Sequence, residues 1–128
     1  MKENMSTDQA IEQEIHAKGA NVAPRITPAD IQANIASEWY FTAGDGALGA
    51  NPPFEPAYEK SEVELPLSLG LLTFCVLVLK NGFTVTGESA CASPENFNAE
   101  IGQKIARQNA VAKIWPLMGY ELRSKLAA

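Results

Sequence analysis

Residues 71–115 of the chain, LLTFCVLVLKNGFTVTGESACASPENFNAEIGQKIARQNAVAKIW, decide the fold. Two apolar runs flank Asn81-Gly82. That dipeptide is a strong hairpin signal, because a type I′ turn needs positive φ at both central residues and Asn and Gly tolerate it. The first strand is expected from Leu72 to Lys80 and the second from Phe83 to Cys91. With Asn81 and Gly82 as the two turn residues, Val78 faces Val85, Phe74 faces Ser89 and Cys75 faces Glu88. The first strand is apolar on both faces, as in a strand covered on both sides. A hairpin with two dry faces is not stable alone. A following helix covers one face. The other requires more of this chain or another copy of it, so a homo-oligomer, at least a dimer, is expected.

That helix is marked at its start. Ser93 suits the N-cap, Pro94 the first helical position, and Glu95 the positive end of the dipole. Phe97, Ile101 and Ile105 recur at four-residue spacing, and Val111, Ala112 and Trp115 resume that face. Pro116 is expected to end or kink the helix after Trp115. Leu117 to Leu126 then reads as a short terminal helix or turn.

The remainder is read outward from this centre. Residues 1–26 form an N-terminal extension, in which Ser6-Thr7-Asp8 caps a short helix carrying Ile11 and Ile15 on one face. This piece is either mobile or packed on a neighbour. Thr27-Pro28 starts a second helix, with Ile31, Ile35 and Trp39 at four-residue spacing on its core face. Residues 42–65 hold six glycines and prolines and read as a long irregular loop. The glycines of AGDGALGA match neither a Walker A nor a dinucleotide fingerprint. Glu55, Glu59, Glu62 and Glu64 read as a solvated run. The fold class is therefore α+β. An antiparallel β-hairpin sheet packs against one long helix, with smaller N- and C-terminal helices, in a single domain spanning residues 1–128.

Composition narrows the function. The formal charge of -5 argues against a general DNA or RNA binder, but leaves room for a small anionic ligand, which needs only a few local donors. No run of about 18 apolar residues exists, so no membrane span is expected. Residues 1–20 lack the apolar run of a secretory signal, which points to the cytoplasm. Cys75 and Cys91 read as small buried apolar residues rather than a bridge. With a single histidine, His16, no His/Cys zinc set assembles. Neither a metal nor a cofactor is implied.

The run KNGFTVTGESACASPENFNAEIGQKIARQNAVAKIWPLMGYELRSKL, with IASEWYF and DGALGA upstream, resembles a small phage protein family long known only by gene number, identified here as the Thoeris anti-defence 1 family. The resemblance covers roughly residues 27 to 126. It rests above all on ESACASPENF followed by IGQKIARQNAV. It implies a non-enzymatic sponge in the host bacterial cytoplasm that binds cyclic ADP-ribose isomers made by TIR-domain proteins and holds them intact. Some members also bind cyclic oligonucleotides. It further implies a trimer of dimers, that is, a hexamer.

Such a ligand asks for an aromatic or guanidinium plane, phosphate donors, and amides or carboxylates for its riboses. Arg107, near the edge of the apolar stripe, reads as a phosphate contact reaching across an interface or as a solvated charge. Arg123 is the second phosphate candidate, with the same alternative. Asn96, in the expected first helical turn, can read a ribose or base edge, or cap locally. Phe83, beside the turn, stacks on the base or packs in the core. Glu88 pairs with a ribose hydroxyl or with a basic residue, because a buried acid needs a partner. Two other functions compete with the sponge. A degrading enzyme lacks a metal set or a nucleophile–base pair. A protein-interaction inhibitor of a host enzyme lacks an exposed helix-in-groove motif.

Overall fold

The computed structural model describes residues 6–51 and 65–128. Among these, the order of elements is α1 (Thr7–Ala17), α2 (Pro28–Ala33), β1 (Ile35–Thr42), α3 (Ala43–Ala50), β2 (Leu72–Leu79), β3 (Thr84–Ala90) and α4 (Ala99–Ala127). Short 3-10 turns precede β2 at Leu67–Leu71 and α4 at Pro94–Asn96. The three strands form one antiparallel sheet in the order β1-β2-β3, and α4 lies on one face of it. The α+β class holds, with β2 as the central strand.

The hairpin forms where Asn81-Gly82 predicts, but its register is one residue away from the expected one. Gly82 N–H donates to Leu79 C=O (2.9 Å), and Leu79 N–H donates to Phe83 C=O (2.8 Å). The loop is thus three residues, Lys80-Asn81-Gly82. Only Gly82 takes positive φ (90°), and Asn81 does not. This is a type I turn closed by a left-handed glycine, the usual three-residue hairpin. Val78 therefore opposes Thr84, Cys75 opposes Gly87, and Phe74 opposes Glu88. A slip of one residue exchanges the two faces of a strand. Val85 and Gly87 turn toward α4, while Thr84, Thr86 and Glu88 turn away.

Gly87 sets how close the helix comes. A Cβ there would lie 2.1 Å from Ala106 C=O oxygen and 2.3 Å from Ala110 N. The helix backbone rests directly on the strand, and its contact stripe is small: Gly102, Ala106 and Ala110, continued by Val111 and Ile114, are the buried residues of α4. Ile31, Cys75, Leu77, Leu79 and Val85 complete the core. Fully burying a side chain such as Leu77 or Ile114 contributes about 1.5–3 kcal/mol. The first half of the stripe expected from apolar spacing is displaced by one residue, while Val111 is buried as expected. Ile101 and Ile105 are 56% and 43% exposed, at the margin of the contact.

Three other expectations are corrected. The second helix stops at Ala33, and Ile35 to Thr42 is a strand. β2 has two backbone edges to satisfy, and IASEWYFT is rich in the aromatic residues that suit a pleated surface. Trp39 is consequently 61% exposed rather than in the core. AGDGALGA is helix α3, opened by a reciprocal cap between Thr42 and Asp45. The start of the expected 42–65 loop is therefore ordered, and its acids Glu55 to Glu64 lie outside the described residues. Finally, α4 begins later than Ser93, with Asn98 as N-cap accepting from Ile101 N–H (3.0 Å). It runs unbroken through Pro116 to Ala127, so there is no separate C-terminal helix. Pro116 and Ala112 both face solvent, so the carbonyl that proline cannot serve is left to water.

The sheet face opposite α4 stays open among the described residues. Phe41 stacks on Phe74 with ring centroids 5.5 Å apart. Trp39 opposes Val76, and Ser37 opposes Val78, on the same face. Phe74, Val76 and Val78 are only half-buried. The second face of β2 is apolar, as anticipated, and β1's aromatics shield part of it.

Candidate ligand-binding cleft

Arg107 projects from α4 beside the contact stripe and reaches across to β1 and α2. Its Nε donates to the Glu38 carboxylate, and its terminal nitrogen donates to Gln32 Oε1 (2.7 Å). Its side chain is 32% exposed and that of Glu38 is 38%. It is neither a free solvated charge nor an isolated phosphate donor, but one corner of a polar cluster. A guanidinium has five N–H donors. Two are occupied here, so the outer edge keeps donors for an anion.

Three grooves meet at this side chain. One of about 980 Å³ runs between α1 and α2, past Asp8, Glu12 and Gln32. A second of about 600 Å³ runs between α1 and α4, past Lys104, Gln108, Asn109 and Trp115. A third of about 410 Å³ lies over the start of β1, past Gln32, Ser37 and Glu38. Together they offer two cations, several amides and an indole, which are the group types that bind phosphates, ribose hydroxyls and a base. Asp8, Glu12 and Glu38 make the charge mixed rather than basic. Among the described residues, no group of three or more His, Cys, Asp or Glu gathers to hold a metal.

Tyr40 lies in the same layer, opposite Cys75. Burial, reinforced by the nearby Cys75 and Glu38, pushes its phenol up to about 12. Burial also pushes the Cys75 thiol up. Cys91 lies opposite Leu71, four residues along from Cys75, roughly 13 Å away at strand spacing. Both cysteines are free.

The other candidates are dispersed within one protomer. Asn96 is exposed in the 3-10 turn before α4 and lines a shallow groove of about 120 Å³ with Leu71, Ser89 and Phe97, at the base of the hairpin. Its position is a turn rather than the first turn of the helix. Phe83 is 57% exposed at the opposite end of the hairpin, and so is not core. β2 is eight residues long, which puts the two ends about 25 Å apart. Glu88 is exposed and points to the open sheet face beside Phe74, not toward Cys75. It is therefore not a buried acid in need of a partner. Only its backbone carbonyl is engaged, accepting from Asn109 Nδ2 (2.8 Å). Arg123 is exposed on the far part of α4, about 24 Å along the helix from Arg107. These five residues can share a site only if different copies of the chain contribute them.

The sequence reading missed Gln32 and Glu38 as partners of Arg107, and Trp115 as a wall of the groove beside it. Glu38 was hidden because Ile35–Thr42 mimics a helical spacing. Gln32 lies 75 positions from Arg107, and no local signal links them.

The fold and cleft define a small α+β domain with a polar groove beside its one long helix. This chain belongs to the phage protein (N4 Gp49/phage Sf6 gene 66) family, whose profile matches residues 26–126. No curated protein and no solved structure matches it. No described helix is long and apolar enough to cross a membrane.

Proposed function

We propose that this phage protein binds and sequesters a cyclic nucleotide immune signal in the host bacterial cytoplasm without degrading it, and does so as a homo-oligomer. The signal class is a cyclic ADP-ribose isomer, with cyclic oligonucleotides as further ligands. One observation carries the reading. Arg107, in the IGQKIARQNAV motif that resembles the Thoeris anti-defence proteins, stands where three grooves meet among amides and an indole. The open face of Trp39, Phe41 and Phe74 supports the oligomer, because exposed apolar patches of this kind mark interaction surfaces. An oligomer also provides the means for the dispersed candidates Phe83, Asn96 and Arg123 to meet.

The test is calorimetric titration with glycocyclic ADP-ribose and, in parallel, cyclic di- and trinucleotides, followed by heat denaturation and chromatography of the ligand. Tight binding with intact recovery is expected. Arg107→Ala should weaken it at least tenfold, because a charge-assisted phosphate contact contributes about 1.5–3 kcal/mol. Altered ligand would point to an enzyme. Absence of binding would refute the nucleotide reading and favour a protein-interaction inhibitor that docks through the open sheet face.

A further inference from the structure

Helix α1 is attached in an unusual way. It lies outside the family match at residues 26–126, and none of its residues is buried. It is nevertheless folded back by two polar contacts, one to α4 and one to the connector that leads into α2. Trp115 Nε1 of α4 donates to Asp8 Oδ2 (3.1 Å). Arg25 forms a two-pronged ion pair with Glu12, both side chains 21% exposed. That pair holds the Glu12 carboxyl below its ordinary range, chiefly through the Arg25 hydrogen bonds. The apolar side chains Ile11 and Ile15 line a groove of about 250 Å³ with Trp115 and Ile26, so the space between α1 and the body is not filled on that side.

The position of α1 matters because of what it lines. Asp8 forms a wall of both grooves that end at Arg107, and Glu12 lines the larger one. A segment secured by carboxylates thus stands over the guanidinium. An anion in either of these two grooves lies beside those carboxylates, and like charges repel across a partly desolvated groove. Segments held by a few part-buried polar contacts, with no fully buried residue of their own, open at low free energy.

We propose that α1 is a detachable acidic strap over the two larger grooves that lead to Arg107, held shut by the Asp8–Trp115 hydrogen bond and the Glu12–Arg25 ion pair, and that its lifting opens those two routes to an anion. The inference deepens the proposed function by adding control of access to the same cleft. Apparent affinity equals intrinsic affinity scaled by the open fraction. A strap open about one-tenth of the time weakens anion binding about tenfold, and releasing it restores that factor.

The experiment uses the full chain carrying Asp8→Ala and Glu12→Ala together. Amide hydrogen exchange of residues 7–17 and titration with inorganic pyrophosphate are compared with the unsubstituted protein. The strap predicts exchange at least tenfold faster in α1, unchanged exchange in α4, and pyrophosphate binding about tenfold tighter. Adding Arg107→Ala should erase the gain in binding. Unchanged exchange in α1 would overturn the proposal, as would a released α1 with unchanged, weaker or undetectable pyrophosphate binding. Pyrophosphate keeps this test separate from the nucleotide titration. If released protein binds pyrophosphate by way of Arg107 yet no cyclic nucleotide binds, the sponge reading fails and the strap stands.

Discussion

Replacing Gly87 by alanine tests the closest contact in the molecule. The added Cβ would stand 2.1 Å from Ala106 oxygen, 2.3 Å from Ala110 N and 2.9 Å from Asn109 C, where ordinary contact begins at 3.4 Å. The gap must therefore widen by 3.4 − 2.1 = 1.3 Å at its tightest point. All three opposing atoms are backbone of one helix, so no side chain can swing aside. α4 must move bodily from β3, loosening Ala106, Ala110, Val111 and Ile114 from Leu77 and Val85. Overpacking of a core costs about 1–3 kcal/mol and occasionally more. With rigid backbone on both sides we expect the upper end, about 3 kcal/mol. That is a large share of the roughly 5–15 kcal/mol of a typical domain. At about 4 °C per kcal/mol for a chain of this size, Tm should fall by roughly 12 °C. Urea and thermal melts followed by circular dichroism measure both. Gly119→Ala is the control, since nothing lies within 4 Å of its added Cβ. It sits in the interior of α4, so alanine should stabilise by about 0.5–1 kcal/mol. A loss below about 1 kcal/mol at Gly87, or equal effects at the two sites, would refute the close packing of α4 on β3.

Three further outcomes are expected. Asn98→Ala removes the side chain that accepts from Ile101 N–H and should cost about 1 kcal/mol in a urea melt, whereas Ser93→Ala should cost less, since Ser93 makes no side-chain cap bond. If the open face joins copies, Trp39→Lys should reduce the mass measured by sedimentation equilibrium toward the 13.8 kDa protomer while the circular dichroism spectrum is kept, because Trp39 is 61% exposed. Tyr40 should remain a neutral phenol until about pH 12. A phenol whose folded-state pKa is raised contributes stability fully below its unfolded value near pH 10, and loses it as pH rises through about 12. Ultraviolet titration should show this late step, and Tyr40→Phe should abolish it.

Local signals and long-range packing divided the determination of this fold. The hairpin at Asn81-Gly82, the long helix after it, the caps at Ser6 and Thr27, and the two apolar faces of β2 were legible in the sequence. Each depends on residues within one turn or one strand, where backbone preference and spacing act directly. The register was not legible, because Asn-Gly serves both a two-residue and a three-residue loop. The choice between them puts Gly87 rather than Glu88 under α4. Only the packed helix needs that glycine. For the same reason apolar spacing pointed to Ile101 and Ile105, while close approach selected Gly102, Ala106 and Ala110. A helix resting on a glycine is best contacted by its smallest side chains.

β1 shows the limit most clearly. Ile31, Ile35 and Trp39 keep a helical spacing, yet the segment from Ile35 pairs with β2, whose unsatisfied edge lies more than thirty residues away. Misreading that strand also hid the candidate cleft. Arg107 was visible as a suitable donor on α4, but its contact with Glu38 spans 69 positions and exists only once β1 is in the sheet. The hairpin, the long helix and the supply of cations, amides and aromatics were written locally, because those follow from neighbours along the chain. Tertiary structure alone decided which strand face meets the helix, which helix face is buried, and which groups gather around Arg107, because those depend on how closely distant backbones can approach.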